Sequence, residues 1–176
     1  NADTLRAAGF WPLVTPATLA LLPLQKPDAM RAALHQKWRN RLNRAERAGG
    51  TVTRHALSPD HWLLTAEAAQ ARARGYKGLP PAVCAAFAKA NPGQAQVFEA
   101  HKNGTAITAA LILRHGRMAT WQIGVSLPEG RRSNAMNAVL WQAMVWLQAQ
   151  GHSCLDLGIL NDQDAPGMGR FKRGTG

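Results

Sequence analysis

The chain has 176 residues, 46% of them hydrophobic, with 21 Lys or Arg against 10 acids and a formal charge of +11. That size and composition suit one globular domain, residues 1–176, with a real core, and exclude a disordered chain. No apolar run reaches the roughly 18 residues a membrane span needs, and the most apolar early stretch, Ala17 to Leu24, lacks the layout of a signal peptide.

A start at Asn1 and an end at Gly174-Thr175-Gly176 read as a truncated chain, with a leader or final strand expected outside it. Phe10 to Leu24 reads as two short extended pieces, Trp11-Pro12-Leu13-Val14 and Leu19 to Leu22, parted by Thr15-Pro16. One helix is expected from Pro27 to about Ala48, with Asp28 as its N-cap and Gly49-Gly50 as its stop. Its apolar stripe is Met30, Leu34, Trp38, Leu42 and Ala45. Lys37, Arg41 and Arg44 lie opposite. Thr51 to Leu57 follows as a strand, and Ser58-Pro59-Asp60 opens a helix to about Arg74. Gly75 to Gly78 and Pro80-Pro81 form a loop before a shorter helix, Val83 to Lys89.

The rhythm then changes. Gln96 to His101, Ala106 to Arg114 and Met118 to Val125 alternate as strands, separated at hairpin distance by Asn103-Gly104 and His115-Gly116. This predicts a three-stranded antiparallel meander. It leads through Ser126 to Arg132 into a helix from about Asn134 to Gln150, then a last strand, Ser153 to Leu157. The order implies an α/β or α+β fold in three layers.

Three places are suited to chemistry. The first joins meander to helix, Ser126 to Asn134. A helix N-terminus there, with Arg131 and Arg132 adding charge and Ser133 or Asn134 able to cap, is a phosphate seat. An ordinary capped helix is the plainer alternative. The second is Leu155-Asp156-Leu157-Gly158 with the later Phe171-Lys172 pair. An acid at a strand end can orient an amine or take its proton, and a lysine can offset developing negative charge. A turn cap and a surface charge are the plainer reading of these two. The third is the basic helix around Lys37 and Arg41, suited either to a phosphate backbone or simply to solvent. Trp38, Trp141 and Trp146 read as core. Tyr76, the only tyrosine, either reaches a substrate or anchors its loop. Cys84 and Cys154 read as small buried thiols, which suits a reducing cytoplasm. The six histidines are scattered, without HExxH or His-x-His, so no metal is expected.

Taken together, Lys37-Trp38-Arg39-Asn40 with Ala45-Glu46-Arg47, the hairpin Asn103-Gly104 to Ala110, Asn137 with Trp141, Asp156-Leu157-Gly158 and Phe171-Lys172-x-Gly174 resemble the FemAB-like branch of the GNAT acyltransferases. Thr175 stands where that branch has an aromatic residue. The resemblance implies a GNAT-type three-layer fold with a mixed, splayed sheet. It implies an acyl donor entering where two parallel strands separate, and a charge-stabilising role for Lys172. Donors across the superfamily are acyl-CoA, whereas the Fem branch uses aminoacyl-tRNA on cell-wall precursors. The superfamily's pyrophosphate loop would fall at Arg131 to Met136, where this chain has no glycine.

The expected function is therefore N-acyl transfer to an amine, with acetyl-CoA or another acyl-CoA as donor. Arg131, Arg132, Ser133, Asn134 and Ser126 would hold it, and Lys172 and Asp156 would act at the reacting centre. Lys37, Arg41, Tyr76 and Phe171 would contact substrate. Transfer from aminoacyl-tRNA and a non-catalytic RNA-binding module are the alternatives. The acceptor and oligomeric state are not readable.

Overall fold

A computed structural model describes residues 2–11 and 17–176. In chain order the elements are α1 (Ala2–Ala7), β1 (Leu19–Pro23), α2 (Pro27–Ala33), α3 (Gln36–Arg47), β2 (Thr51–Ala56), α4 (Trp62–Arg74) and α5 (Pro81–Ala90). Then come β3 (Ala95–Lys102), β4 (Thr105–His115), β5 (Met118–Ser126), α6 (Pro128–Arg132), α7 (Ala135–Ala149), β6 (Cys154–Ile159) and α8 (Pro166–Arg173).

The six strands form one mixed sheet in the order β1-β6-β5-β4-β3-β2. The meander is present. β3 pairs antiparallel with β4, β4 with β5, and β2 closes the far edge on β3. Asn103 and Gly104, both at positive φ (52° and 75°), make the tight turn that the Asn-Gly pair announces. Apolar side chains alternate to both faces. On one, Phe98, Ala110, Ile112 and Leu155 meet Trp38 and Leu42 of α3 and Leu140, Met144 and Leu147 of α7. On the other, Val97, Leu111, Ile123 and Val125 meet Leu63 and Leu64 of α4 and Cys84 of α5. Two buried faces make three layers, as the element order implies. Cys84 and Cys154 are free, and burial raises the pKa of both thiols.

Several boundaries differ from the expectation. The long helix after Pro27 is two helices, because Leu34 and His35 turn extended (ψ 132° and 143°). His35 N–H instead donates to Gly174 O (3.0 Å), so the break is where the end of the chain docks. Lys26, not Asp28, is the N-cap of α2; Asp28 is acidic in its first turn. α4 starts at Trp62, capped by the ring of His61, because Ser58 bonds Asp60 within a turn of its own. Leu19 to Leu22 is strand, as expected. The other proposed piece, Trp11 to Val14, lies outside the described residues beyond Trp11. Three helices were not foreseen: α1 at the start, α6 ahead of α7, and α8 at Phe171-Lys172, where a loop is the natural reading of so many glycines.

Gly130 shows how tightly α6 sits on the sheet: a Cβ there would lie 2.3 Å from Ile107 O on β4. Helix propensity alone favours Gly130→Ala by about 1 kcal/mol. The contact reverses the sign, and we expect a loss of roughly 1–3 kcal/mol, read as a fall in the urea unfolding midpoint.

Candidate functional site

β5 and β6 run parallel but pair only over Met118–Thr120 with Cys154–Asp156. Beyond Thr120 and Asp156 no pairing continues, although both strands go on. The cause lies in β5. Leu111 pairs with Ile123 and Ile112 with Trp121, so Gln122 is an extra residue that kinks the strand away. Trp121 then folds its ring over Gly124, where a Cβ would lie 2.5 Å from the ring, and donates Nε1–H to Ile123 O (2.8 Å).

Asp156 stands at the last paired position, where the split begins. Its Oδ1 accepts the amide of Gly158 (2.6 Å), a turn that Gly158 makes at φ +79°. Lys172 reaches the same spot from α8. Its ammonium donates to Ile159 O (2.8 Å) and lies 3.5 Å from where a Cβ of Gly158 would be. Burial lowers the Lys172 pKa from the ordinary lysine value, and the Asp156 carboxylate opposes that shift. The structure thus brings Asp156 and Lys172 to one strand end. Phe171, next along α8, packs between Trp38 (centroids 5.7 Å) and Trp121 (5.8 Å), and Gly174 lies under Trp38, where a Cβ would meet the ring at 2.7 Å.

Beside the split is an open cleft of about 220 Å³, lined by Trp121, Gly124, Ser126, Arg131, Met136 and Phe171 together with Arg74 of α4. Ser126 and Arg131, two of the five residues named above for holding a donor, line it. The others are dispersed. Arg132 is exposed and pairs with Glu129, which also takes Lys102. Ser133 donates its hydroxyl to Glu129 O and lines a different, small hollow under α3 and α7. The amides of Ser133 and Asn134 are bonded to Glu129 O (3.0 Å) and Arg131 O (3.3 Å), and Asn134 (φ 57°) makes no side-chain cap. The free N–H groups expected from Ser133 onward are occupied at these first two residues because α6 winds in ahead of α7.

The cations of α3 meet those of α8. His35, Lys37, Trp38, Arg41, Arg170 and Arg173 line an open pocket of about 350 Å³. Among the described residues, Arg173 alone of these has an ion-pair partner, Asp162 (Nη1–Oδ1 2.9 Å). Trp38 is core, as expected, but its Nε1 is buried with no hydrogen-bond partner among the described residues. Tyr76 is a loop anchor: its hydroxyl donates to Glu67 (2.8 Å) and accepts from Gln70 (3.0 Å). Sequence reasoning missed Arg74, Trp121, Arg170 and Arg173. The last two flank Phe171-Lys172 on a helix too short to show a periodicity. It also missed a cluster on the far strands, where His55, His61 and His101 surround Glu99.

A family model described as an acetyltransferase (GNAT) domain matches residues 32–173. No curated protein matches the chain in sequence. Among solved structures, the fold is similar to FemX at a TM-score of 0.78, with 14% identity over 99% of this chain and 64% of that one. It is also similar to the C-terminal domain of a putative lysylphosphatidylglycerol synthetase from Agrobacterium fabrum (TM-score 0.55, 17% identity, 90% of this chain and 51% of that one). L-PGS from Bacillus licheniformis gives 0.58 and 14% over 89% and 49%. The chain thus spans about half to two thirds of the structures it resembles. At such identities the likeness is one of fold.

Because Phe171 is the one ring touching both Trp38 and Trp121, Phe171→Ala is expected to cost about 2 kcal/mol in denaturant unfolding, and Phe171→Leu less than half of that.

Proposed function

The chain belongs to the acetyltransferase (GNAT) domain family, and from that premise we propose that it is an N-acyltransferase whose reacting centre is the divergence of β5 and β6. A substrate amine attacks the activated carbonyl directly. The C–N bond forms as the carbonyl becomes a tetrahedral oxyanion, the bond to the carrier breaks as the carbonyl reforms, and the proton lost by nitrogen ends on the leaving atom. The observation that carries the reading is the Lys172 ammonium held on Ile159 O beside Asp156, at the first unpaired step of the sheet. There the ammonium would offset charge on the tetrahedral oxygen, and Asp156 would hold Lys172 charged and orient the amine. Orientation and electrostatics suffice for such a step without a nucleophilic side chain.

For the donor, the pocket between α3 and α8 supports aminoacyl-tRNA. Lys37, Arg41 and Arg170 have no ion-pair partner among the described residues, and they border the helix that carries Lys172. Neutralising successive phosphates is what such a row does. Acyl-CoA is the second reading, supported by Ser126 and Arg131 in the cleft beside Trp121. The occupied amides of Ser133 and Asn134 weigh against it.

The two donors separate in a transfer assay with a panel of amines. With aminoacyl-tRNA, transfer and a steep salt dependence are expected, and Arg170→Glu with Lys37→Glu should weaken tRNA binding about tenfold or more and flatten the salt slope. Turnover with acetyl-CoA but not tRNA would give the donor to the second reading. Turnover with neither, and no binding of either, would sink both.

Lys172→Met is expected to lower turnover by about 10²–10³-fold. Its thermal midpoint should not fall. The folded-state pKa of Lys172 is depressed, so its charge destabilises the fold at all pH values below that pKa, and the penalty is relieved as pH rises through it. The same direction sets the pH profile. Activity requiring the ammonium falls on the alkaline side earlier than an ordinary lysine would allow. Removing the carboxylate that opposes the shift, in Asp156→Asn, should move that alkaline limb to still lower pH. An unmoved limb would detach Lys172 from the reaction.

A further inference from the structure

Glu99 is the most buried acid pairing in the fold without a lysine or arginine: its side chain is 8% exposed, and its charged neighbours are all histidines. It points from β3 to the face covered by α4. Its backbone carbonyl accepts from Thr53 of β2 (3.4 Å). Oε1 accepts Trp62 Nε1–H and faces His61 Nε2 at 3.9 Å. Oε2 faces His55 Nε2 at 3.5 Å and His101 Nε2 at 3.3 Å. None of these residues lines the cleft or the basic pocket.

The tautomer of His55 makes the cluster more than a set of hydrogen bonds. Its Nδ1 is 3.1 Å from Ala56 O, which can only accept, so Nδ1 bears the proton. In the neutral ring Nε2 is then a lone pair turned toward a carboxylate oxygen. Two acceptors face each other only when a cation lies between them. A shared proton would draw the pair to about 2.7–2.9 Å. Zinc bonds of about 2.0–2.1 Å in a tetrahedral site put neighbouring ligand atoms about 3.4 Å apart, close to the 3.5 Å of the His55 pair, and the His61 pair at 3.9 Å would draw in on binding. A carbonyl that fixes the ring from its far side is the usual partner of a metal-bound histidine.

We propose that His55, His61 and Glu99 form a binding site for a divalent transition metal of the zinc type, clamping edge strand β2 to β3 and to the first turn of α4. One donor atom from each of the three lies within 4.8 Å of the others. Two nitrogens and a carboxylate form a three-ligand zinc set that leaves one position to solvent. His61 Nδ1 now accepts Leu63 N–H (3.1 Å). For Nε2 to bind metal, the ring proton moves to Nδ1 and that cap opens, which couples metal entry to the start of α4. His101 steadies the carboxylate from the other side.

The test is zinc titration of the tag-free chain by calorimetry, with melting temperature read in zinc and in EDTA and with Co²⁺ absorption as the report on coordination. One equivalent is expected to bind, and at a hundredfold excess over Kd the folded-to-unfolded ratio should rise about 100-fold. Intense visible Co²⁺ bands should mark a low-coordinate site. His55→Ala removes a part-exposed ligand, and Glu99→Gln keeps the side-chain shape. Each should weaken binding about tenfold or more, while His115→Ala, whose ring bonds Thr120 instead, should leave it unchanged. Binding retained in both ligand variants, or no binding by the unaltered chain, would overturn the proposal. So would a melting temperature that rises on acidification and ignores zinc, since a proton would then be the cation beside Glu99.

Discussion

The arrangement depends on one ring. Phe171 packs against Trp38 from α3 and Trp121 from β5, the apolar anchor of α8 beside its polar ties to Asp162 and Ile159 O. α8 spans Pro166–Arg173, about two turns, too short to be stable alone. Its position is therefore set by contacts. With Phe171 between two tryptophans and Gly174 under one of them, the residue between cannot wander: Lys172 is delivered to Ile159 O and Gly158. The hydrogen bond from His35 to Gly174 O ties the same end to the break between α2 and α3. A half-buried lysine is unfavourable by itself. It persists here because apolar packing on either side over-determines it.

The split sheet follows from the same residues. One extra position, Gln122, bends β5 away from β6, and the Trp121 ring beside it is the one on which Phe171 rests. The bulge that opens the cleft thus also supplies half of the seat for the helix that closes one side of it. Gly124 completes the seat, since any side chain there would collide with the ring.

Much of this was legible in the chain. Alternation and an Asn-Gly turn gave the meander, and glycine stops gave the ends of α3 and α7. Asp156-Leu157-Gly158 and Phe171-Lys172, separated by more than a dozen residues, were joined as one candidate on their chemistry and again through a resemblance, and they do meet. Other features were hidden by their physics. The break at Leu34-His35 carries no proline or glycine, because a partner distant in sequence stabilises it, not a local preference. α6 is a single short turn series whose main consequence is to occupy the amides of Ser133 and Asn134. The histidines around Glu99 come from β2, β3 and the start of α4, a convergence that no spacing rule reports.

The charge of the chain is likewise less uniform than its sum suggests. Arg31 is bound to Glu46 and lies over Trp141, and Arg54 and Arg114 both lie over Trp146. Lys102 and Arg132 share Glu129. These cations shield apolar rings or satisfy acids, and they contribute little outward field at short range. What is left without an ion-pair partner among the described residues includes Lys37, Arg41 and Arg170 at one pocket and Arg131 and Arg74 at the cleft. Both places border α8. A net charge of +11 would attract any polyanion to any face. Lys37, Arg41 and Arg170 at the pocket, with Arg131 and Arg74 at the cleft, set five of those cations around the helix that holds Lys172, so a polyanion drawn to the chain meets several of them at once there.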